Sequence, residues 1–434
     1  MDAQEFQKRR AQLMEQVGKG NIAIIASANT RVRNRDVDYP FRQDSDFYYL
    51  TGFNEPNALA AFIPGREQGQ YILFCQEFDE KKALWEGAHA GLEGATEKYG
   101  ADDSFPITDL GDILPGLLEN KHKVFYPMGR DPELDHQLME WITHIRSQTR
   151  SGINAPGELA SLEHTLHEMR LIKSPAEIKL MQKAANVSAK AHIRAMRNCQ
   201  AGRYEYQVEG DIIHEFIDNG LRAVAYPSIV AGGKNACVLH YVENKAVLND
   251  GDLLLIDAGA ECDHYAADIT RTFPVNGVFS PEQKSLYQLV LDAQLAALAE
   301  INPGTPWNKA HDASVEVLTQ GLVDLGLLVG EVDKLIEDES YKAFYMHRIG
   351  HWLGMDVHDV GDYKIDDEWR LLEPGMVLTV EPGLYIPPNC LGVDAKWRGI
   401  GIRIEDDVLV TKQGHEVLTH AIPKSIASIE AIMQ

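Results

Sequence analysis

The chain contains few cysteines and no long apolar run. Its 434 residues include five cysteines, which are scattered and form no C-x-x-C pair: Cys75, Cys199, Cys237, Cys262 and Cys390. Few unpaired thiols are typical of a reducing cytoplasm, so we expect a cytoplasmic protein and assign none of them to catalysis or metal binding. The sequence has no run of 18 apolar residues, so no membrane span is expected. Its polar first residues do not resemble a secretory signal.

Positive charge is also scarce. The sequence has 41 lysines and arginines against 65 acidic residues, which gives a formal net charge of −24. This excess of negative charge argues against nucleic acid and against anionic membrane surfaces as partners. The phosphate-binding pattern G-x-x-x-x-G-K-[ST] and the nucleophile pattern G-x-S-x-G are both missing. The chain is therefore not expected to be a P-loop protein or a serine hydrolase of the elbow type.

The length predicts two domains, because one core rarely serves so many residues. The N-terminal part alternates predicted strands (21–27, 58–63, 70–75) with predicted helices (5–17, 109–118, 133–146), which is an α/β pattern. The segment 152–159 has turn composition and is predicted to be a linker. Capping boxes at Ser174 and Ser280 open two further helices, and two more are predicted over 206–219 and 308–325. We predict an α+β protein with domains 1–170 and 171–434, the second built on a curved, mainly antiparallel sheet with helices outside.

Four carboxylates in the second domain each occupy an apolar strand context. They lie in the runs LLLIDAG, AADITRTF, VLTVEPG and GIRIEDD, and one histidine lies in MHRIGHWLGMDVHDVG; the five are Asp257, Asp268, Glu381, Glu405 and His351. A single Asp after a strand is more often a cap or a solvated loop residue. Four such residues are harder to explain in that way, and their burial near one another requires cations. Two divalent ions would balance four carboxylates, so the pattern predicts a two-metal hydrolase.

The motifs that carry these residues also identify a family. The runs are LHYVEN, DGDLLLIDAG, DITRTFPVNG, GHWLGMDVHDVG, LEPGMVLTVEPGLYIPP and RGIGIRIEDDVLVT, with DYPFRQDSDFYYLTGFNEP and HEMRLIKS in the N-terminal half. The chain resembles aminopeptidase P, the Xaa-Pro aminopeptidase of the pita-bread metallopeptidases, over nearly its whole length. The resemblance implies an N-terminal α/β domain of the creatinase/prolidase type, which restricts the substrate and forms oligomer contacts. It also implies a C-terminal pita-bread catalytic domain.

The resemblance implies two Mn²⁺ ions per subunit, with Co²⁺, Mg²⁺ or Zn²⁺ as substitutes. An oxygen-rich ligand set with one imidazole also suits such ions on chemical grounds. By the resemblance, Asp268 and Glu405 bridge the metals, Asp257 holds one of them, and His351 and Glu381 hold the other. A hydroxide between the metals would attack the bond that precedes proline in the substrate. Glu381 would also carry a proton toward the leaving nitrogen.

Other residues correspond to family positions that contact the substrate. His358 is expected to stabilise the developing oxyanion, and His240 to donate on the substrate side. His347 is expected to line the proline pocket beside Tyr385. Arg403 lies two residues before a metal ligand, and either neutralisation of the carboxylates or direct substrate contact fits it.

Three N-terminal residues complete the predicted site. Trp85 and Arg150 correspond to family positions that reach the active site, and Asp36 corresponds to one that reaches it from a neighbouring subunit. Asp36 lies in the polar segment 31–38, where nothing local explains a functional role. The resemblance therefore predicts a homo-oligomer, and a tetramer is favoured.

The predicted activity is removal of the first residue from peptides with proline in the second position. Prolidase is the alternative, because it shares the metal chemistry and differs in accepting only dipeptides. Methionine aminopeptidase shares the ligands but would not need so long an N-terminal domain. A non-catalytic pita-bread protein that binds peptides, and a creatinase-like enzyme, are disfavoured because all five ligand positions are filled here.

Overall fold

The computed structural model describes residues 1–434, and the chain forms two units, Met1–Arg170 and Leu171–Gln434. The first unit has seven helices: α1 (Ala3–Val17), α2 (Ser45–Thr51), α3 (Glu80–Glu86), α4 (Gly91–Glu97), α5 (Leu110–Leu118), α6 (Pro132–Ser147) and α7 (Glu163–Leu171). It has eight strands: β1 (Ile22–Ala26), β2 (Val32–Asn34), β3 (Val37–Asp38), β4 (Leu59–Phe62), β5 (Tyr71–Cys75), β6 (Asp103–Pro106), β7 (Lys123–Tyr126) and β8 (Glu158–Ser161).

Six of these strands form one mixed sheet in the order β6-β5-β4-β1-β7-β8. The central strand β1 pairs antiparallel with β4 and parallel with β7. Its sequence IAIIA is almost wholly buried, as expected for a strand covered on both faces. The predicted α/β character of this half is confirmed.

The predicted linker at 152–159 is confirmed only in part, because residues 152–157 are irregular but do not join the two units. Glu158 begins β8, which pairs in parallel with β7 and forms an edge of the sheet, and the division between the units follows Arg170. The reason is physical. The edge strand is largely exposed, so its short polar sequence ELAS has the composition of a loop.

The second unit has six helices: α8 (Pro175–Asn198), α9 (Glu205–Asp218), α10 (Pro281–Ala299), α11 (Asn308–Asp324), α12 (Val332–Glu337) and α13 (Ile426–Met433). It has thirteen strands: β9 (Ala223–Val224), β10 (Ile229–Gly232), β11 (Leu253–Asp257), β12 (Ala260–Cys262), β13 (Tyr265–Ala266), β14 (Thr270–Pro274), β15 (Lys364–Ile365), β16 (Glu368–Trp369), β17 (Val377–Val380), β18 (Gly383–Ile386), β19 (Ile400–Arg403), β20 (Asp406–Thr411) and β21 (Gly414–Val417).

The starts of the long helices follow their capping residues. Ser174 and Glu177 form a complete capping box at α8, and Ser280 and Gln283 form one at α10, with proline at the first helical position in both. Two of these predicted helix starts are therefore confirmed. None of the helices is both long enough and apolar enough to cross a membrane.

All strand pairs of the second unit are antiparallel, as predicted, but they form several short sheets. Those that carry the predicted ligands are β10-β11-β14, β17-β20-β21 and β18-β19. A buried apolar cluster that includes Trp307, Trp352 and Leu378 lies beside them. This core fixes the strand ends from which the site residues project.

Candidate metal centre

Strand pairing brings the first two carboxylates together. Asp257, the last residue of β11, is paired with Thr270 at the start of β14, and Asp268 precedes that strand by two residues. The two strands pair in this way although β12 and β13 lie between them in the chain. The Glu405 amide donates to the carbonyl oxygen of Thr270 at 3.1 Å, which adds the third carboxylate.

The other two predicted ligands, His351 and Glu381, lie on two backbone segments that hydrogen-bond to each other beside β17. The Thr379 amide donates to the carbonyl of His351 at 2.9 Å, and the Glu381 amide donates to the carbonyl of Ile349 at 2.7 Å. Trp352 forms a bridge with Leu378 between the same two segments. His351 and Glu381 are consequently held side by side.

These residues line one cavity of about 270 Å³. The lining consists of Leu239, His240, Asp257, Asp268, His347, Arg348, Gly350, His351, His358, Glu381, Arg403 and Glu405. All five predicted metal ligands are among them, together with four of the residues predicted to contact the substrate. The structure thus brings together side chains that lie more than 160 positions apart in the sequence.

The buried carboxylates of this cavity repel one another. Burial raises the pKa of Glu405 well above its usual value, and Asp268, Glu381 and Asp257 raise it further. Burial also raises the pKa of Glu381 to about 7, although His351 and Arg403 oppose the change. Burial and mutual repulsion thus disfavour the ionised form of these carboxylates. A bound cation would stabilise that form.

His351 has the hydrogen-bond pattern of a metal ligand. Its Nδ1 lies 2.9 Å from the Trp352 carbonyl, which can only accept, so Nδ1 carries a proton and Nε2 is the nitrogen that could bind a metal ion. Nε2 lies 3.4 Å from Asp268 Oδ2 and 3.6 Å from Glu381 Oε1. Burial would lower the pKa of His351, but Asp268 and Glu381 outweigh burial and raise it to about 9. The cluster therefore attracts positive charge at this nitrogen.

The donor atoms are also close enough to share an ion. One ligand atom each from Asp268, His351 and Glu405 lies within 4.8 Å of the other two. Carboxylate oxygens and one imidazole nitrogen form a set that suits hard or borderline divalent ions. The residues present therefore fit a divalent metal.

Arg403 connects several of these side chains. Its Nη2 donates to Asp257 Oδ2 at 2.6 Å, and its Nη1 donates to the Tyr385 hydroxyl at 2.9 Å. Its Nε donates to Thr270 Oγ1 at 2.9 Å. The side chain is almost fully buried. These contacts occupy the guanidinium on all its nitrogens and favour charge neutralisation over direct substrate contact.

The same chain of hydrogen bonds fixes the tautomer of His347. His347 Nδ1 lies 2.8 Å from the Arg348 carbonyl, which can only accept, so the neutral ring carries its proton on Nδ1. Nε2 then accepts from the Tyr385 hydroxyl at 2.9 Å, and the oxygen of that hydroxyl accepts from Arg403. Burial and the Arg403 charge lower the pKa of His347 to about 4. His347 is therefore neutral at pH 7, with both ring nitrogens occupied.

The two other predicted histidines are less enclosed. The rings of His358 and His351 lie 4.4 Å apart and nearly perpendicular. Desolvation and the neighbouring His351 lower the pKa of His358, which leaves it neutral and able to donate. His240 is exposed at the cavity wall.

The three predicted residues of the N-terminal unit are all exposed. Asp36 lies in the turn between β2 and β3, so the predicted polar loop is a short hairpin. Trp85 lies in α3 with 88% of its surface accessible, and Arg150 lies in the single turn Thr149–Ser151. Their part in the site stays a prediction.

Three hydroxyl groups beside the ligands were not predicted. The Tyr226 hydroxyl donates to Asp257 Oδ1 at 2.6 Å, and Thr270 Oγ1 donates to Glu405 Oε2 at 2.6 Å. Thr379 Oγ1 accepts from the His351 amide and lies 3.3 Å from Glu381 Oε1. Thr270 lies two positions after Asp268, and Thr379 lies two positions before Glu381. In a strand, residues two positions apart point to the same face, so this spacing could have predicted both threonines. Nothing in the sequence marks Tyr226.

A buried carboxylate organises the segment that carries His240. Glu205 Oε1 accepts from the Gly232 amide and the Asn235 side chain, and Oε2 accepts from the Tyr241 hydroxyl and the Ala246 amide. All four distances are between 2.8 and 2.9 Å. Glu205 is the first residue of α9, a position where an acidic residue is normally explained as a helix cap. The sequence alone therefore does not predict its contacts with the segment that carries His240.

A larger cavity, of about 720 Å³, lies in the N-terminal unit at the carboxyl end of β1. Its guanidinium at Arg130 is paired with Asp44, Asp46 and Glu163. The cluster of three donor residues close enough together to hold a metal ion, Asp268, His351 and Glu405, lies in the smaller cavity.

A family model described as metallopeptidase family M24 matches residues 179–412, and one described as the aminopeptidase P N-terminal domain matches residues 6–126. The chain therefore belongs to metallopeptidase family M24, whose members are metal-dependent hydrolases. The resemblance to aminopeptidase P, with its pita-bread fold and two domains, is confirmed by the same matches.

Three similar proteins match this chain over nearly the full length of both chains. An Xaa-Pro aminopeptidase of Haemophilus influenzae is 46% identical over 99% of this chain and 97% of its own length. The structure of Pseudomonas aeruginosa aminopeptidase PepP has a TM-score of 0.99 at 57% identity, covering 100% of this chain and 98% of that chain. The structure of Escherichia coli aminopeptidase P with the inhibitor Pro-Leu has a TM-score of 0.96 at 43% identity, with coverage of 100% and 98%.

Proposed function

We propose that this metallopeptidase is an Xaa-Pro aminopeptidase with a dinuclear manganese centre. The observation that carries the proposal is the convergence of five donor side chains in one cavity whose lining also includes the neutral His347. The relatives named above, which match over the full length, support the same activity. The free state of all five cysteines supports a cytoplasmic location.

The metals would be held by the five predicted ligands, Asp257, Asp268, His351, Glu381 and Glu405. Four carboxylates and one guanidinium leave a large negative charge in the cavity, and two divalent cations offset it. When bound, such ions supply a water of lowered pKa and polarise the scissile carbonyl. The hard oxygen donors favour Mn²⁺, with Co²⁺, Mg²⁺ or Zn²⁺ as substitutes.

The chain's own groups would then handle protons and charge. Glu381 lines the cavity beside His351, so it would be placed to pass a proton from the nucleophile to the leaving nitrogen. His358 is neutral and offers an N–H to the oxygen of the scissile carbonyl as charge develops there. His240, which is exposed in the lining of the same cavity, would be a second donor to the substrate.

Proline specificity would come from the His347 side of the cavity. Both ring nitrogens of His347 are satisfied by protein groups, so the exposed part of the ring presents a neutral surface. Tyr345 meets this ring edge-on at 5.0 Å. A pyrrolidine ring without an amide N–H suits such a wall, because it leaves no donor unpaired.

The N-terminal unit would complete the site by oligomerisation. Following the family resemblance, we place Trp85 and Arg150 near the peptide, and Asp36 at the active site of a neighbour in a homotetramer. Sedimentation of the wild-type protein tests this assembly. Asp36→Ala should weaken peptide turnover without changing metal content, and a fully active monomer would remove Asp36 from the site.

Substrate length distinguishes the proposed activity from prolidase. The purified Mn²⁺-loaded protein should release alanine from Ala-Pro-Ala efficiently and leave Ala-Ala-Ala almost untouched. Hydrolysis restricted to the dipeptide Ala-Pro would identify a prolidase. Binding of Ala-Pro-Ala without cleavage would identify a non-catalytic peptide-binding protein.

A further inference from the structure

Thr270 lies between a metal ligand and the guanidinium of the cavity. It is the first residue of β14 and is fully buried. Its Oγ1 is 2.6 Å from Glu405 Oε2 and 2.9 Å from Arg403 Nε. This one hydroxyl therefore joins two charged groups of opposite sign.

The direction of both hydrogen bonds is fixed by chemistry. A guanidinium nitrogen can only donate, so the threonine oxygen accepts from Arg403. The single hydroxyl proton then points at Glu405, whose Oε2 must accept it. This bond fixes the rotation of the carboxylate, and both oxygens keep lone pairs that a cation can use. The charge-assisted bonds on either side polarise the hydroxyl and strengthen the link.

The main chain of Thr270 holds the same residue independently. The Glu405 amide donates to the Thr270 carbonyl at 3.1 Å, and Arg271 Nη1 donates to the carbonyl oxygens of both Thr270 and Glu405. These contacts do not involve the hydroxyl. Replacement of the hydroxyl by a methyl group should therefore change the orientation of the carboxylate while the backbone around Glu405 stays in place.

We propose that Thr270 is a positioning residue that sets the orientation of the Glu405 carboxylate and thereby the affinity for divalent metal. The inference rests on the proposed function, because it takes Glu405 as a metal ligand. It concerns a residue that does not itself touch metal or substrate. Outer hydrogen-bonding partners of this kind typically change metal affinity by about 10–100-fold when they are removed.

Thr272 supplies a matched control on the same strand. It is also fully buried, and its hydroxyl also hydrogen-bonds to residue 403, but only to main-chain atoms: it donates to the Arg403 carbonyl at 3.0 Å and accepts from the Arg403 amide at 3.2 Å. Thr272→Val therefore removes buried hydrogen bonds of a threonine without touching a ligand carboxylate.

The test is a Mn²⁺ titration of the chelator-treated full-length protein, with free Mn²⁺ followed by its electron paramagnetic resonance signal. Thr270→Val should raise the Mn²⁺ dissociation constant by roughly 10–100-fold. Thr270→Ser keeps the hydroxyl and should restore it to within about threefold of wild type. Thr272→Val should stay within about threefold, even where both valine variants lower the thermal midpoint by similar amounts.

Equal weakening by Thr270→Val and Thr272→Val, or unchanged affinity in Thr270→Val, would overturn the proposal. Where a valine variant does not fold, the Thr270→Ala and Thr272→Ala pair gives the same comparison. The readout needs no peptide, so it is separable from the proposed function. A wild-type protein that binds Mn²⁺ but cleaves no Xaa-Pro peptide would refute the activity and leave the role of Thr270 intact.

Discussion

Replacement of Arg403 by methionine should destabilise the metal-free protein far more than the metal-loaded protein. Methionine keeps much of the length of the side chain but removes the donors to Asp257, Tyr385 and Thr270. The loss of one partner from a buried ion pair costs about 3–5 kcal/mol, because the other charge stays buried. In this variant Asp257 loses its ion-pair partner while it stays buried beside other carboxylates.

Thermal unfolding measures this difference directly. For a unit of this size, 1 kcal/mol shifts the midpoint by about 2–4 °C, so Arg403→Met should unfold on the order of 5–10 °C or more below wild type after chelation. With saturating Mn²⁺ the gap should narrow, since a cation at Asp257 replaces part of the missing charge. Arg398→Met is the control, because Arg398 is exposed and its Nε binds only the Val393 carbonyl.

An Arg403→Met midpoint within about 2 °C of wild type after chelation would refute the electrostatic account. A penalty that is the same with and without Mn²⁺ would refute it in another way, because it would show that Arg403 only packs and does not share the charge of the ligands with the metal.

Three further predictions concern other parts of the chain. His358→Ala should keep its full metal content while kcat falls on the order of 10²–10³-fold, and loss of metal in this variant would show that His358 is a ligand. Glu205→Gln loses acceptors for the segment that carries His240, so kcat/KM should fall roughly 10–100-fold while Mn²⁺ affinity is unchanged; an unaltered kcat/KM would contradict this. In the N-terminal unit, burial would raise the pKa of Asp46, but Arg170, His167 and Arg130 together outweigh burial and lower it below its usual value. The stability that this shift contributes is present above the pKa of the unfolded chain, about 4, and is lost as pH falls toward the folded pKa, so Asp46→Asn should flatten the fall in thermal midpoint between pH 6 and pH 3.

The donor residues that meet in the cavity could be predicted because local sequence is informative at their positions. Asp257 ends an apolar strand, and Glu381 is followed by Pro382 and Gly383, which stop one. The capping boxes at Ser174 and Ser280 were equally local, and both helices begin there. Signals of this kind depend on a few neighbouring residues and survive without knowledge of the fold.

The supporting groups depend on contacts that local sequence does not encode. Tyr226 reaches Asp257 across 31 positions, and Glu205 reaches the Ala246 amide across 41. The predicted linker 152–159 includes the first two residues of β8, because an exposed edge strand needs no apolar face. In each case the tertiary partner, and not the residue type, determines the role.

The most direct test is a titration of Mn²⁺ into the chelator-treated protein while the release of alanine from Ala-Pro-Ala is measured. The dinuclear account predicts no turnover without metal and a rise in activity that reaches its plateau at two Mn²⁺ per chain. Full turnover in the presence of the chelator would contradict the metal-dependent mechanism, and a plateau at one Mn²⁺ per chain would contradict the dinuclear centre.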